Sequence, residues 1–332
     1  MSRPRSVQEF IHWLEVGSGG RWIVLFAFLV SAVLLSLRVA NQQFHGPTSE
    51  MTLVQADMGR QLARGAGFTT QVNFPQASAV LAGRGVRFDP KQPYPELYHA
   101  PLYSLAIAGG LRVLPEGKRE ALFSRPEAML DAFRGDYFLL ALNLLLLWLA
   151  LWLTYDLGRR LFEPRVGWVA MLAMLLSVPI WQQVVAVNGT PLLMVLGLAA
   201  FWCWLRVEGG RDEPAGEQSA EGSTTRGLPW RWLGALGVVC GLLFLTEYSA
   251  GALVLVALGY AVVRFEGSAR WGALASVLVG FALVTAPWVV RNIGGDASVM
   301  SSNIMAGMPV PPDAMTQFHR YMSSSETAFA AL

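Results

Sequence analysis

The chain has 332 residues, of which 54% are hydrophobic and only 14% are charged, and its mean hydropathy is +0.42. Soluble domains average roughly 25% charged residues, so this composition excludes a single water-soluble domain and predicts an all-α integral membrane protein. The net charge of +2 is uninformative by itself, but the arginines are scattered among apolar runs and form no basic stripe, so nothing indicates a nucleic-acid partner.

Seven apolar segments are candidates for membrane-spanning helices, which need about 20 apolar residues each. The first is longer than the core of a signal peptide and lacks a convincing small-residue cleavage site, so we expect an uncleaved anchor. The candidate segments are 22–40, 136–155, 167–187, 191–206, 231–247, 249–264 and 271–290.

Segment 99–114 is shorter and contains a Gly-Gly pair and an arginine, so it either crosses the membrane or lies along its surface. If it lies along the surface and the N-terminus is cytoplasmic, the arginines of 158–165, 206–231 and 264–270 all become cytoplasmic. The positive-inside rule favours this arrangement. We therefore expect an interfacial helix at 99–114 in a multi-pass protein of the bacterial inner (cytoplasmic) membrane.

This topology predicts a very uneven distribution of loops. A long first periplasmic loop, 41–135, follows the first span, whereas the other outer connections are short. The linker at 207–230 is rich in Gly, Ser and Glu and is expected to be a disordered cytoplasmic segment. The predicted organisation is a cytoplasmic segment (1–21), a membrane module (22–290) and a short periplasmic tail (291–332).

The first part of the long loop, residues 49–64, has helical periodicity. Glu50, Asp57 and Arg64 recur every seven residues and share one face, with Arg60 close by. The opposite face is apolar and predicts an amphipathic helix lying in the membrane interface, ended by the glycines of the Gly-x-Gly that follows. The apolar stripe consists of Met51, Val54, Met58 and Leu62.

Each polar residue of this region also has a simpler explanation. Glu50 could merely complement the positive end of a helix dipole, and Asp57 could form a surface ion pair. His99 could be a polar interface residue, Glu247 could reach water at the end of a span, and Arg291 could anchor to headgroups. Their convergence on the outer face nevertheless favours a functional site, because ionisable groups at membrane depth are costly.

Five short motifs together resemble a known superfamily. They are L-x-x-G-x-G-F at 62–68, H-x-P-L-Y at 99–103, G-R-R-L-F at 158–162, L-T-E at 245–247 and P-W-x-x-R-N at 287–292. Their order and the topology resemble the GT-C-fold glycosyltransferases that use polyprenyl-phosphate sugars. These include protein mannosyltransferases and the aminoarabinose transferases of lipid A. The resemblance covers roughly residues 20–295 and implies a module of about seven transmembrane helices.

The resemblance implies roles for individual residues. Glu50 occupies the position of the catalytic acid, which is usually Asp in that superfamily, and Met51 stands where a second acid is usual. The basic residue that contacts the donor phosphate in that superfamily corresponds to His99 or a neighbour. The second outer loop, 187–191, lacks the acid that is often found there.

The implied function is inverting transfer of a sugar from a polyprenyl-phosphate donor to a lipid, glycan or protein acceptor at the periplasmic face. Glu50 would be the general base and Asp57 its supporting carboxylate; no metal ligands are assigned, and use of a divalent metal ion is left open. The alternative is a catalytically degenerate protein that acts as a scaffold or lipid-carrier binder. The expected donor-phosphate ligands are His99, Arg291, Arg60 and Arg64, and the expected cavity residues are Tyr103, Glu247, Tyr248 and Asn188.

Overall fold

The computed structural model describes residues 19–47, 49–72, 93–96, 99–124, 133–209 and 229–294, and every structural statement below concerns these residues. The expectations for the N-terminal segment, most of the linker at 207–230 and the tail beyond 294 lie outside them. Most of the described chain is helical. The helices are α1 (Gly19–Gln42), α2 (Glu50–Arg64), α3 (Leu102–Val113), α4 (Glu116–Ala121), α5 (Arg134–Leu161), α6 (Pro164–Leu175), α7 (Val178–Val185), α8 (Thr190–Gly209), α9 (Trp230–Thr246), a 3₁₀ helix (Tyr248–Ala252), α10 (Leu253–Arg264) and α11 (Gly267–Gly294).

Four of the described helices, α1, α5, α8 and α11, are long and apolar enough to cross a membrane. The α6–α7 pair is bent by 55° and would provide a fifth span. Helix α9 and the segment formed by the 3₁₀ helix and α10 are apolar but shorter. The structure therefore supports an all-α membrane protein with four or five candidate spans, while the predicted total of seven is not established.

The span predicted for 167–187 is not one continuous helix, because the chain breaks between α6 and α7. Ser177 has an extended backbone, and Pro179 lies in the first turn of α7. Proline lacks an N–H donor and disfavours a helical residue before it, so the helix stops and restarts in a new direction. The Trp181 indole N–H donates to the Leu175 carbonyl oxygen at 2.6 Å and satisfies a group that the break exposes.

Helices α9 and α11 cross closely through glycine. A Cβ atom added to Gly237 would lie 2.1 Å from the carbonyl oxygen of Val277, and one added to Gly280 would lie 2.3 Å from that of Gly234. Both contacts are with backbone atoms, so neither can be relieved by turning a side chain. Small residues at such crossings allow the close backbone packing that holds membrane helices together.

Two ring contacts show the relative directions of α1, α5 and α6. Near the end of α1, Phe44 packs on Tyr137 of α5 at 5.4 Å between ring centroids, whereas Phe28, early in α1, packs on Trp168 of α6 at 5.9 Å. The loop end of the molecule comprises the described residues of 43–47, 49–72, 93–96, 99–124, 133–143, 184–190, 246–252 and 285–292. The arginine end comprises residues 155–168, 202–209, 230–232 and 260–270.

Candidate functional site at the loop end

Helix α2 begins where the sequence predicts, and local capping explains both of its ends. The Ser49 side chain accepts a hydrogen bond from the Thr52 backbone N–H at 3.1 Å, which satisfies one of the free donors of the first turn. The helix ends at Gly65, whose φ of 84° suits glycine. Glu50 is the first helical residue, and its side chain lies outside the described part of the structure.

The apolar stripe of α2 is buried by protein. Val54, Met58 and Leu62 are at most 8% exposed, and Met58 and Leu62 share a cluster with Tyr103 and other residues of α3. The Ser104 hydroxyl of α3 donates to the Gln55 backbone carbonyl at 2.8 Å. The interface that was predicted to face lipid is therefore a helix–helix interface, because α3 supplies the apolar partner.

Asp57 is half-buried and connects α2 to a short strand pair, β1 (Thr69–Thr70) with β2 (Tyr94–Pro95). Its Oδ2 atom accepts hydrogen bonds from the Thr70 hydroxyl at 3.0 Å and from the Gln71 backbone N–H at 2.6 Å. In this structure Asp57 holds the loop together, and its predicted catalytic support stays a prediction.

The two arginines of α2 have different surroundings. The Arg64 guanidinium binds both carboxylate oxygens of Glu120 in α4, and this hydrogen bonding raises the pKa of Arg64 and lowers that of Glu120. Arg60 stacks on the Phe123 ring at 4.5 Å, and burial, followed by the nearby charge of Arg64, lowers its pKa. The buried Arg60 Nε has no hydrogen-bond partner among the described residues.

A buried polar network attaches the loop to the helix bundle. The Tyr103 hydroxyl is 2.9 Å from the Asn143 Oδ1 and 2.8 Å from the Val187 carbonyl oxygen, and Tyr103 and Asn143 are both fully buried. Asn143 Nδ2 donates to the Asn188 carbonyl at 3.1 Å. Val187 has a φ of 47°, which is unusual for a β-branched residue and is held by these contacts.

The Asn188 side chain also has protein partners. Its Oδ1 accepts from the Thr190 backbone N–H at 3.0 Å, and its Nδ2 donates to the Gln183 Oε1 at 2.9 Å. Of the expected cavity residues, Tyr103 and Asn188 are therefore packed into the attachment of the loop. Whether either of them also contacts a substrate stays a prediction.

Arg291 makes the second attachment of the loop to the bundle. It donates to the backbone carbonyls of Glu96 at 3.1 Å and Phe68 at 3.0 Å. Its guanidinium also lies over the rings of Phe68 at 5.0 Å and Trp288 at 4.8 Å. The Trp288 indole N–H donates to the Tyr248 hydroxyl at 2.9 Å. The motif at 287–292 therefore attaches to α11 the residues that flank both strands, Phe68 before β1 and Glu96 after β2.

His99 lies beside a buried carboxylate that was not predicted from the sequence. Glu96 is 7% exposed; its Oε1 accepts from the His99 backbone N–H at 3.0 Å and lies 3.3 Å from the His99 Nδ1. Glu247, another expected cavity residue, is half-buried and ends α9 next to Tyr248. The sequence feature that could have indicated the Glu96–His99 pair is that the two residues lie three positions apart.

Gln55 is a second residue that was not predicted from the sequence. It is fully buried, and neither its Nε2 nor its Oε1 has a hydrogen-bond partner among the described residues. Buried polar side chains are normally paired, so an unpaired amide requires an explanation such as a ligand. The predicted apolar stripe does not include position 55, so the sequence pattern did not indicate that Gln55 is buried.

Comparisons with protein-family models, curated protein sequences and solved structures found no significant match to this chain. Among the described residues, no group of three or more His, Cys, Asp or Glu side chains is placed to hold a metal ion.

Proposed function

We propose that this protein is a membrane glycosyltransferase that moves a sugar from a polyprenyl-phosphate donor to a lipid, glycan or protein acceptor. The reaction would take place at the outer face of a bacterial inner membrane, where we assign the loop end. The observation that carries the proposal is the loop end itself. A helix that begins at Glu50 is docked on an apolar bundle and holds buried polar groups, on Gln55 and Arg60, without described partners.

The proposed reaction needs one base and one means of stabilising the leaving phosphate. Glu50 takes the proton of an acceptor hydroxyl, whose oxygen attacks the anomeric carbon while the bond from that carbon to the phosphate oxygen breaks. The electron pair leaves with the polyprenyl phosphate, and the configuration at the anomeric carbon is inverted. Negative charge develops on that phosphate, so a cation beside it lowers the barrier.

The contacts at the loop end rank the four expected donor-phosphate ligands. The guanidiniums of Arg64 and Arg291 already bind protein groups, and either would have to exchange these partners to bind phosphate. His99 also has a protein neighbour, the Glu96 carboxylate, whereas Arg60 keeps one N–H without a described partner. We therefore assign the donor phosphate first to Arg60, with His99, Arg64 and Arg291 as the further candidates.

A catalytically degenerate scaffold or lipid-carrier binder is the second candidate. The observation that favours it is that Arg64, Arg291 and Tyr103 already bind protein groups in this structure. In that case the loop would serve to present a surface or hold a lipid carrier, and Glu50 would merely complement the dipole of α2.

The transfer reaction is tested with purified full-length protein and a panel of radiolabelled polyprenyl-phosphate sugars. Glu50→Ala should abolish consumption of the donor, because general-base catalysis contributes roughly a hundredfold or more, and should leave the melting temperature nearly unchanged. The matched control is Glu116→Ala, which removes a loop carboxylate that is 84% exposed and should retain activity. Full activity of Glu50→Ala would contradict the proposed base.

A further inference from the structure

The arginine end contains an exposed arginine on an aromatic surface. The Arg206 guanidinium lies 4.8 Å from the ring centroid of Trp202 and 5.6 Å from that of Trp232. The two indoles pack edge to face at 5.1 Å, which fixes the surface on which the guanidinium rests. Arg206 is exposed, so its donors face outward from a site formed by two helices, α8 and α9.

The neighbouring carboxylate, that of Asp156, already binds other side chains. Asp156 is 3% exposed and accepts hydrogen bonds from Arg159 at 2.6 and 2.8 Å, from Arg160 at 2.6 Å and from the Trp202 indole at 3.2 Å. Trp202 thus has Asp156 at its N–H and Arg206 on its ring face. With the Asp156 charge shared by two arginines, no protein carboxylate among the described residues pairs with Arg206.

The arginine end also has an excess of positive charge, with seven arginines against four acids. The Glu208 carboxylate binds Arg264 and accepts from the Tyr260 hydroxyl, so a second acid is also in use. Trp230 is 49% exposed beside Trp232 at the start of α9. Exposed tryptophans and arginines at the ends of apolar helices are typical of the boundary between lipid tails and headgroups.

We propose that Arg206, resting on Trp202 and Trp232, binds the phosphate of an anionic phospholipid. Guanidinium groups match phosphate with a planar fork of donors, and contact with two indoles holds this fork in place. The occupant is a lipid because the site lies between the ends of apolar helices. Lipids present their phosphates at that level, and basic pockets between membrane helices bind such headgroups.

Native mass spectrometry of the full-length protein in detergent tests the site. Phosphatidylglycerol is compared with phosphatidylcholine, and the measured quantity is the ratio of the two lipids retained. Arg206→Gln should lower this ratio about five-fold, the effect of one basic side chain at an anionic surface. Arg206→Lys should give an intermediate ratio, because it keeps the charge but loses the fork.

The matched control is Arg165→Gln, an exposed arginine of the same end for which no indole contact is described. Because no described indole holds the Arg165 guanidinium in place, this change should remove only diffuse attraction and leave the ratio within about two-fold of the original protein. An unchanged ratio in Arg206→Gln, or an equal loss in Arg165→Gln, would overturn the proposal. Lipid selectivity that appears only after the four acids of 210–228 are neutralised would also overturn it, because that linker would then occupy Arg206.

Discussion

The two ends of the molecule both carry arginines but use them differently. At the loop end, Arg64, Arg112 and Arg291 donate to protein oxygens. Arg64 and Arg112 join segments of the long loop to one another, and Arg291 fastens the loop to the bundle. At the arginine end, Asp156 binds two arginines, while Arg206 lies exposed on indoles. We infer that the first set shapes a site made by the protein, whereas the second presents charge to a partner in the membrane.

The largest expected effect is at the attachment of the loop. Asn143→Ala removes the amide that contacts Tyr103 and the carbonyls of the 184–188 turn. Because each buried group left unpaired costs about 1–3 kcal/mol, we expect a loss of about 3 kcal/mol. Thermal melting in detergent measures it.

Leu145→Ala is the control for this change, because Leu145 lies on the same helix and is 64% exposed. It should shift the melting temperature much less. Equal shifts in the two variants would mean that the Asn143 network does not hold the loop.

At the arginine end, Asp156→Asn should cost about 2 kcal/mol, since the amide loses the charge that serves Arg159 and Arg160. It should also release two guanidiniums and increase binding of phosphatidylglycerol. Thermal melting and native mass spectrometry measure the two effects. A variant as stable as the original protein would show that this buried carboxylate contributes little.

Gln55→Leu should change the stability of the protein in the opposite direction to the preceding variants. Removing a buried amide that has no described partner should stabilise the protein by about 1 kcal/mol, because its desolvation is no longer uncompensated. If that amide binds a sugar hydroxyl, transfer activity should fall in the same variant. A loss of both stability and activity would show that Gln55 has an undescribed protein partner.

The smallest effect is expected for the exposed pair of Arg64 and Glu120, whose side chains are 32% and 43% exposed. Solvent screening limits such a pair to less than about 1 kcal/mol. The pKa of Glu120 is lowered by Arg64, so its contribution is present above the unfolded pKa of about 4.3 and is lost as the pH falls below it. Melting of Glu120→Gln and the original protein should therefore converge at low pH.

The local features of the loop could be predicted from the sequence. The periodicity of 49–64 and the glycine that follows act within a few residues, and α2 begins within one residue of the predicted start and ends at the predicted residue. Whether its apolar stripe faces lipid or another helix could not be predicted, because both arrangements require the same periodicity of apolar residues. Only the fold reveals that α3 covers it.

The long-range contacts could not be predicted either, because sequence periodicity relates only residues that are close along the chain. Arg291 lies 195 positions from Glu96 and 223 from Phe68, and no periodicity relates residues so far apart. The break between α6 and α7 had a local signal in Pro179, which the apolar composition of 167–187 obscured. Composition identifies the membrane class, whereas the partners of each charge depend on packing.

The central claim concerns Glu50, and it can be tested without knowing the sugar or the acceptor. A strain lacking this protein should accumulate a polyprenyl-phosphate sugar that mass spectrometry detects in lipid extracts. Expression of the original protein or of Glu116→Ala should remove this intermediate, whereas Glu50→Ala, expressed at the same level, should leave it in place. Removal of the intermediate by Glu50→Ala, or no accumulation in the deletion strain, would contradict the proposed transfer reaction.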